Sequence, residues 1–283
     1  MAPVLAVQAL TGEGERLEPL SASALQLATM VGTRAWDRDA ASRLIAYDSA
    51  LSAKIRTAAN AGASSNLGSA DAAVSRLGQA KVVALALANC FRKPYSRAIP
   101  EFGLAADHLW RHSVATAAAV EHLQRRLAQP IPEECLAAAL LHDLGYLVLA
   151  RTLPADVQAL LATESKQGWT QTRRSEQELA GTDHAHVGGA IAGHWGLPPV
   201  FIDTITHHHT PHQISTAHHA HVAYVVNIAE MVAATIGESL GRRESGPIDE
   251  AGTMLKLSIR GEQFSELCQE VYDDFEDKLY WYS

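Results

Sequence analysis

The run Leu136-Ala137-Ala138-Ala139-Leu140-Leu141-His142-Asp143-Leu144-Gly145-Tyr146-Leu147-Val148-Leu149-Ala150 decides how this chain is read. It is apolar nearly throughout, without the alternation of a half-buried strand, and rich in the helix formers Ala and Leu, so it predicts a buried helix. In its middle an imidazole and a carboxylate stand side by side. Burying such groups costs on the order of several kcal/mol unless they are paired or bound to a metal. Neighbouring side chains on a helix point about 100° apart. His142 and Asp143 can therefore grip one ion if Asp143 turns inward, or serve two adjacent ions.

Helical signals continue on both sides of this run. Towards the N-terminus, Ser21 or Ser23, Asp37 and Asp48 stand as caps ahead of three amphipathic segments, the first closing at Gly32 and the third at Asn60. Gly62 to Ser69 reads as a loop, Asp71 to Gly78 as a short helix, and Gln79 to Phe91 as a helix apolar nearly all round. Pro94 and Pro100 break the pattern before a helix over 104–127. Acidic Glu133 and Glu134 then open the helix that should run to Leu149. Further helices are expected over 156–164, 175–179, 184–195, 200–209, 216–236, 249–257 and 262–279, with 238–250 a loop in part and an aromatic tail docking on the protein.

This reading is all-α, with two helical subdomains divided at the proline-marked break. Residues 1–16 are expected to be a leader or linker, 17–98 the N-terminal subdomain, 99–236 the second, and 237–283 a C-terminal helical extension. A chain of 283 residues with 47% hydrophobic content has ample material for a core, and aromatics at only 6% favour helices over strands. The formal net charge of −8 argues against a general nucleic-acid surface, which needs clustered Lys and Arg. Cys90, Cys135 and Cys268 are far apart and form no disulfide framework or zinc knuckle. No secretory signal pattern and no run of about 18 apolar residues stands out, so a cytoplasmic protein without a membrane span is expected.

Histidine is the outlier. Of 14 in the chain, ten lie between His184 and His221. His112 sits on the helix before the His142-Asp143 run, His184 opens a helix, and His207-His208-His209 closes one. Imidazoles with a carboxylate suit zinc, iron, manganese or nickel rather than calcium. Gly188 and Gly189 read as close helix packing rather than a phosphate loop, since no strand precedes them. His194, His207, His218, His219 and His221 read as surface residues.

His112 followed by Leu140-Leu141-His142-Asp143-Leu144-Gly145 resembles the HD superfamily of metal-dependent phosphohydrolases, and the closer match is to the HDOD domain, its regulatory relative. Leu17-Glu18-Pro19-Leu20-Ser21-Ala22-Ser23-Ala24-Leu25, the stretch from Ile45-Ala46-Tyr47-Asp48 to Ala59-Asn60, and Ala72-Ala73-Val74-Ser75-Arg76-Leu77-Gly78 are similar to HDOD segments. So are His184-Ala185-His186-Val187-Gly188, Trp195-Gly196-Leu197-Pro198 and Ile205-Thr206-His207-His208-His209-Thr210-Pro211. Agreement runs from about residue 17 to 236, in the family's order.

The resemblance implies an HD-like helical bundle over the second subdomain. It also implies a metal site of His112, His142 and Asp143, with Glu230 where the superfamily's last aspartate falls. His184, His208 and His209 match the added histidines that hold a second ion in the HD-GYP branch, which cleaves cyclic di-GMP. That branch's Gly-Tyr-Pro motif is absent, and its lysine after the HD pair is here Tyr146. The expectation is thus a bacterial signal-transduction module of the response-regulator-associated kind, binding one or two divalent transition-metal ions (Fe, Mn, Zn or Ni). It would act through a signalling protein partner or a small phosphate-containing ligand, with a homo-oligomer left open. The alternative is a metal-dependent phosphohydrolase or phosphodiesterase in which His142 and Asp143 are catalytic.

Overall fold

The computed structural model of the chain describes residues 20–61, 67–127, 130–153, 155–159, 173–240, 253–254 and 256–283. The expected leader 1–16, most of the 62–69 loop, the later part of the 156–164 helix and the 241–252 stretch lie outside these. Every regular element among the described residues is helical; the one extended pairing is an isolated bridge between Ile99 and Leu104.

The N-terminal half is built from α1 (Ala22–Gly32), α2 (Arg38–Tyr47), α3 (Ser49–Asn60) and α4 (Ala70–Tyr95). The caps act as small polar residues at helix starts do. Ser21, Asp37 and Asp48 accept from the amides of Ala24, Ala40 and Leu51 at 3.2, 3.0 and 3.0 Å. At α4 the cap is Ser69, not Asp71, which sits in the first turn. Gly78, at φ 76° and ψ 166°, breaks α4 into the two pieces that the sequence predicts. Pro94 does not end it, because a proline in the final turn has little helix left to disrupt.

The second half comprises α5 (His108–Arg126), α6 (Glu134–Leu141), α7 (Tyr146–Thr152), α8 (Arg173–Ala180), α9 (His184–His194), α10 (Pro199–His207) and α11 (Ala217–Thr235). The expected continuous helix from Glu133 to Leu149 is not continuous. Residues 142–145 form a turn between α6 and α7, closed by three-residue hydrogen bonds from the amides of Leu144 to Leu141 and Tyr146 to Asp143. Bonds three residues back in place of four tighten the chain there, while His142 and Gly145 keep right-handed helical angles. The stretch Glu134–Thr152 is long and apolar enough to cross a membrane by length and composition only, and 89% of its apolar window is buried inside the fold.

The last element, α12 (Gly261–Tyr282), lies along α5 and also reaches the N-terminal half. Leu267, Cys268, Val271, Phe275 and Tyr282 are its buried residues. Each large apolar side chain buried there contributes about 1.5–3 kcal/mol. The aromatic tail docks only in part: Tyr282 is fully buried while Tyr280 is 88% exposed. Buried hydrophobic residues form a single cluster from Leu20 to Tyr282, covering both halves and the extension.

Candidate metal centre

The chain turns at the ends of α6 and α10 carry the two pairs His142-Asp143 and His208-His209. His142 caps the C-terminus of α6 and His208 that of α10, both with helical backbone angles. The Nδ1 of His142 lies 2.8 Å from the carbonyl of Ala139, and the Nδ1 of His208 lies 2.8 Å from that of Ile205. A carbonyl only accepts, so Nδ1 carries the proton in each ring and Nε2 presents a lone pair. His112, from α5, repeats the arrangement with its Nδ1 2.6 Å from the carbonyl of Glu238. His184, at the start of α9, gives its Nδ1 to Glu176 of α8 at 2.8 Å, and Glu176 also accepts from the His184 amide at 2.8 Å.

The Nε2 atoms so freed converge on Asp143. Its Oδ2 is 3.2 Å from Nε2 of both His112 and His142, and its Oδ1 is 3.4 Å from Nε2 of His184 and 3.7 Å from that of His208. The two halves of one carboxylate thus face two different histidine sets. Among the described residues, the ligand atoms of His112, His142 and Asp143 lie within 4.8 Å of one another, as do those of His184, His208 and His209. Glu230, from α11, belongs to neither set; its Oε2 is 3.6 Å from Nδ1 of His209, behind that ring.

The donor chemistry fits a cation. The Nε2 atoms of His112 and His142 face each other at 3.1 Å, and those of His184 and His209 at 2.9 Å. Lone pair against lone pair at these distances is unfavourable unless a proton or a metal ion stands between them. The Nε2 of His208 is fully buried and has no hydrogen-bond partner, a group that ordinarily costs about 1–3 kcal/mol. Anchoring of the far ring nitrogen by a carbonyl or carboxylate is what metal-ligating histidines characteristically show.

Electrostatics point the same way. Burial opposes charge at His142, but Asp143 and, further off, Glu230 outweigh it and raise its pKa. Burial likewise works against charge at His184, where Glu176 and Asp143 prevail and bring the pKa to about 9. Asp143 is held well below the usual carboxylate range: His142 and His112 overcome its burial. His208 is driven the other way, kept neutral by burial and by His209 and His142. Asp143 and Glu176 thus draw positive charge, a proton or a metal ion, to the rings beside them, while His208 stays a neutral donor.

Close packing brings these turns together. A Cβ on Gly145 would fall on the carbonyl of His184 and come within 2.7 Å of the Gly188 amide nitrogen; one on Gly188 would meet Ile205 at 2.8 Å. The start of α7 thus lies backbone to backbone on α9, consistent with packing glycines rather than a phosphate loop. Tyr146 stacks on His184 with ring centroids 4.3 Å apart and planes 12° from parallel.

Of the remaining histidines, His194 is exposed. His218 reaches the buried Glu134 at 2.9 Å and His219 reaches Asp203 at 2.6 Å, so neither is a free surface side chain. Glu176 and the Glu238 carbonyl were not singled out by sequence reasoning. Glu176 sits in the polar segment Arg173–Ala180, where local pattern reads as a solvated helix. Asn227 donates to the carbonyl of His208 at 2.7 Å and accepts from Thr253 at 2.9 Å, holding the second turn from behind.

The HDOD domain family matches residues 17–211 of the chain. No curated protein matches it. Among solved structures, a candidate signal transduction protein of Marinobacter aquaeolei superposes with a TM-score of 0.73 at 20% identity, over 94% of this chain and 58% of the other. This chain thus spans little more than half that protein's length. A candidate phosphohydrolase of Shewanella amazonensis gives 0.66 at 21% identity over 97% of both chains. An HDOD domain protein of unknown function from Geobacter sulfurreducens gives 0.68 at 19% identity, over 97% of this chain and 96% of the other. At these identities the likeness is one of fold.

Proposed function

The chain belongs to the HDOD domain family, and from that premise we propose that it is a signal-transduction module built around a two-ion divalent metal centre. The observation that carries this reading is Asp143, whose two carboxylate oxygens each approach a separate set of histidine Nε2 atoms, at 3.2 Å on one side and 3.4–3.7 Å on the other. His112, His142 and Asp143 would hold one ion. His184, His208 and His209 would hold the second, with Asp143 between them and Glu230 steadying His209. A set of imidazoles with one shared carboxylate suits Fe, Mn, Zn or Ni.

Signalling rather than turnover is favoured by enclosure: His112, His142, Asp143, His184 and His208 are all nearly inaccessible. The four N-terminal helices share one core with the metal-binding half, so a change at the centre can reach a surface where a protein partner or a small phosphate-containing ligand acts. Metal analysis of protein purified without nickel affinity tests the premise. About two transition-metal ions per chain are expected, and less than half an ion would end the reading.

A second reading, a metal-dependent phosphohydrolase, is favoured by one specific feature. His209 and Glu230 form a rim whose side chains are 22% and 11% exposed, so the second histidine set is open to water on that side. When bound, divalent ions supply Lewis-acid polarisation of a phosphoryl oxygen and acidify water. Hydrolysis of a phosphodiester in the presence of Mn²⁺ or Fe²⁺, lost in His142→Ala and Asp143→Ala, would support it. No hydrolysis by protein with both ions confirmed would leave the signalling reading.

A further inference from the structure

A cleft of about 500 Å³ separates the segment following α4 from α7, on the far side of Tyr146 from the metal-ligand cluster. Its walls include Arg97 and Glu101 from the connection between the two halves and Tyr146, Leu147, Arg151 and Gln158 from the second half. Both arginines are exposed, and neither makes an ion pair among the described residues. Elsewhere several arginines are engaged: Arg92 pairs with Asp107, Arg111 with Glu238 and Glu276, and Arg126 with Glu266 and Glu270. Two guanidinium groups and a single carboxylate line this cleft, a net positive lining in a chain of net charge −8.

We propose that this cleft binds a phosphate-bearing anion through Arg97 and Arg151, at a site separate from the metal centre. The guanidinium fork matches phosphate oxygens bidentately, which a lysine cannot do. The two arginines come from different halves of the fold, so one anion held by both bridges the N-terminal helices to the HD-like helices. Tyr146, the inner wall of the cleft, stacks on the metal-facing ring of His184, and Glu176 lies against both residues. An occupant of the cleft thus touches Tyr146, whose ring stacks on the His184 ring that the second ion would need. This makes the cleft an effector site and the Tyr146–His184 stack its connection to the centre. It goes beyond the metal reading, because anion binding here does not require any ion to be bound.

The test is isothermal titration of the full chain with inorganic pyrophosphate, carried out on metal-stripped protein and repeated on His142→Ala. Binding should persist in both. It should weaken by at least about tenfold in Arg97→Ala/Arg151→Ala, since a charged hydrogen-bonded contact of this kind is worth more than one factor of ten. Both side chains are exposed, so the double variant should unfold at the wild-type temperature; Arg97→Gln and Arg151→Gln singly, each with partial loss, provide a second set. Pyrophosphate binding that is unchanged in the arginine variants, that disappears in His142→Ala, or that is absent from the wild type would overturn the proposal.

Discussion

His142 and His208 meet edge to face, ring centroids 5.0 Å apart and planes at 86°, each held by the carbonyl three residues back in the helix that it terminates. One local device is used twice. A helix leaves its last carbonyls without intrahelical donors, and a histidine at the C-cap satisfies one of them with Nδ1. The same bond fixes the tautomer and leaves Nε2 as the lone pair. Because α6 and α10 end beside each other, the two Nε2 atoms come to opposite oxygens of one carboxylate. Neither bond would survive a shift of one residue in either helix end.

That arrangement separates the ligands by which ion they serve. His142→Ala should cost the protein one of its two ions, and His208→Ala the other. Asp143→Asn, which weakens both sets at once, should leave well under one ion per chain. Metal quantification by plasma mass spectrometry distinguishes these outcomes; equal stoichiometry in all three variants would contradict an Asp143 shared between two sets.

Glu176 should matter to metal affinity without being a ligand. It takes the Nδ1 proton of His184 at 2.8 Å and stands fully buried. Replacement of such an outer partner typically lowers metal affinity about 10- to 100-fold. Glu176→Gln is expected to fall in that range in a competitive chelator titration and to keep its helical circular dichroism. An unchanged affinity would mean that His184 is oriented by its stack on Tyr146 alone.

Gly145 and Gly193 make opposite predictions for the same substitution. At Gly145 an added Cβ would meet the backbone of α9, which cannot move aside cheaply, so Gly145→Ala should destabilise the fold by about 1–3 kcal/mol or more. It should also reduce metal content, because the turn bearing Asp143 would be displaced. At Gly193 the nearest neighbour of an added Cβ is Ile202 Cδ1 at 3.8 Å, an ordinary contact. Gly193→Ala, in the last turn of α9, is expected to stabilise by up to roughly 0.5–1 kcal/mol. Denaturant unfolding of the two variants side by side decides the matter.

Much of this was legible in the sequence, for reasons that differ by residue. Asp37 and Asp48 announce helices because capping is a contact with the chain three residues on. Leu136 to Ala150 announces a segment withdrawn from water because it is apolar nearly throughout. The turn at 142–145 was not legible: nothing in Leu-His-Asp-Leu-Gly forbids helix, and the close contact of Gly145 with α9 is made by residues distant in sequence. The candidate ligands stood out by residue type and clustering, but their grouping into sets came through the family resemblance, since spacing alone cannot bring His112 to His142 or His184 to Asp143. Glu176 was hidden because its segment is polar in every local window, and its burial is a tertiary fact. His218 and Glu134 were hidden likewise, 84 residues apart in the chain.

Glu121, away from the metal cluster, should contribute to the pH response of stability at the acid end. Its carboxylate, buried between α5 and α12, accepts from Lys278 at 2.8 Å and from the Tyr282 hydroxyl at 3.0 Å, with Lys81 at 3.3 Å. Burial alone would raise its pKa, but Lys278 and Lys81 outweigh it and the folded value lies below the ordinary 4.5. The unfolded chain then binds more protons than the folded one in the interval between those two values. Stability from this contact is therefore fully present above the ordinary value and is lost as pH falls through the folded one. Glu121→Gln keeps the shape and removes the charge, so it should be less stable than wild type at about pH 7 and by a smaller margin at about pH 3. Urea unfolding at both pH values, followed by the fluorescence of Trp281 and its neighbours, measures that gap; a gap of constant size would mean that α12 is held on by its apolar side chains, with the Glu121 cluster contributing nothing.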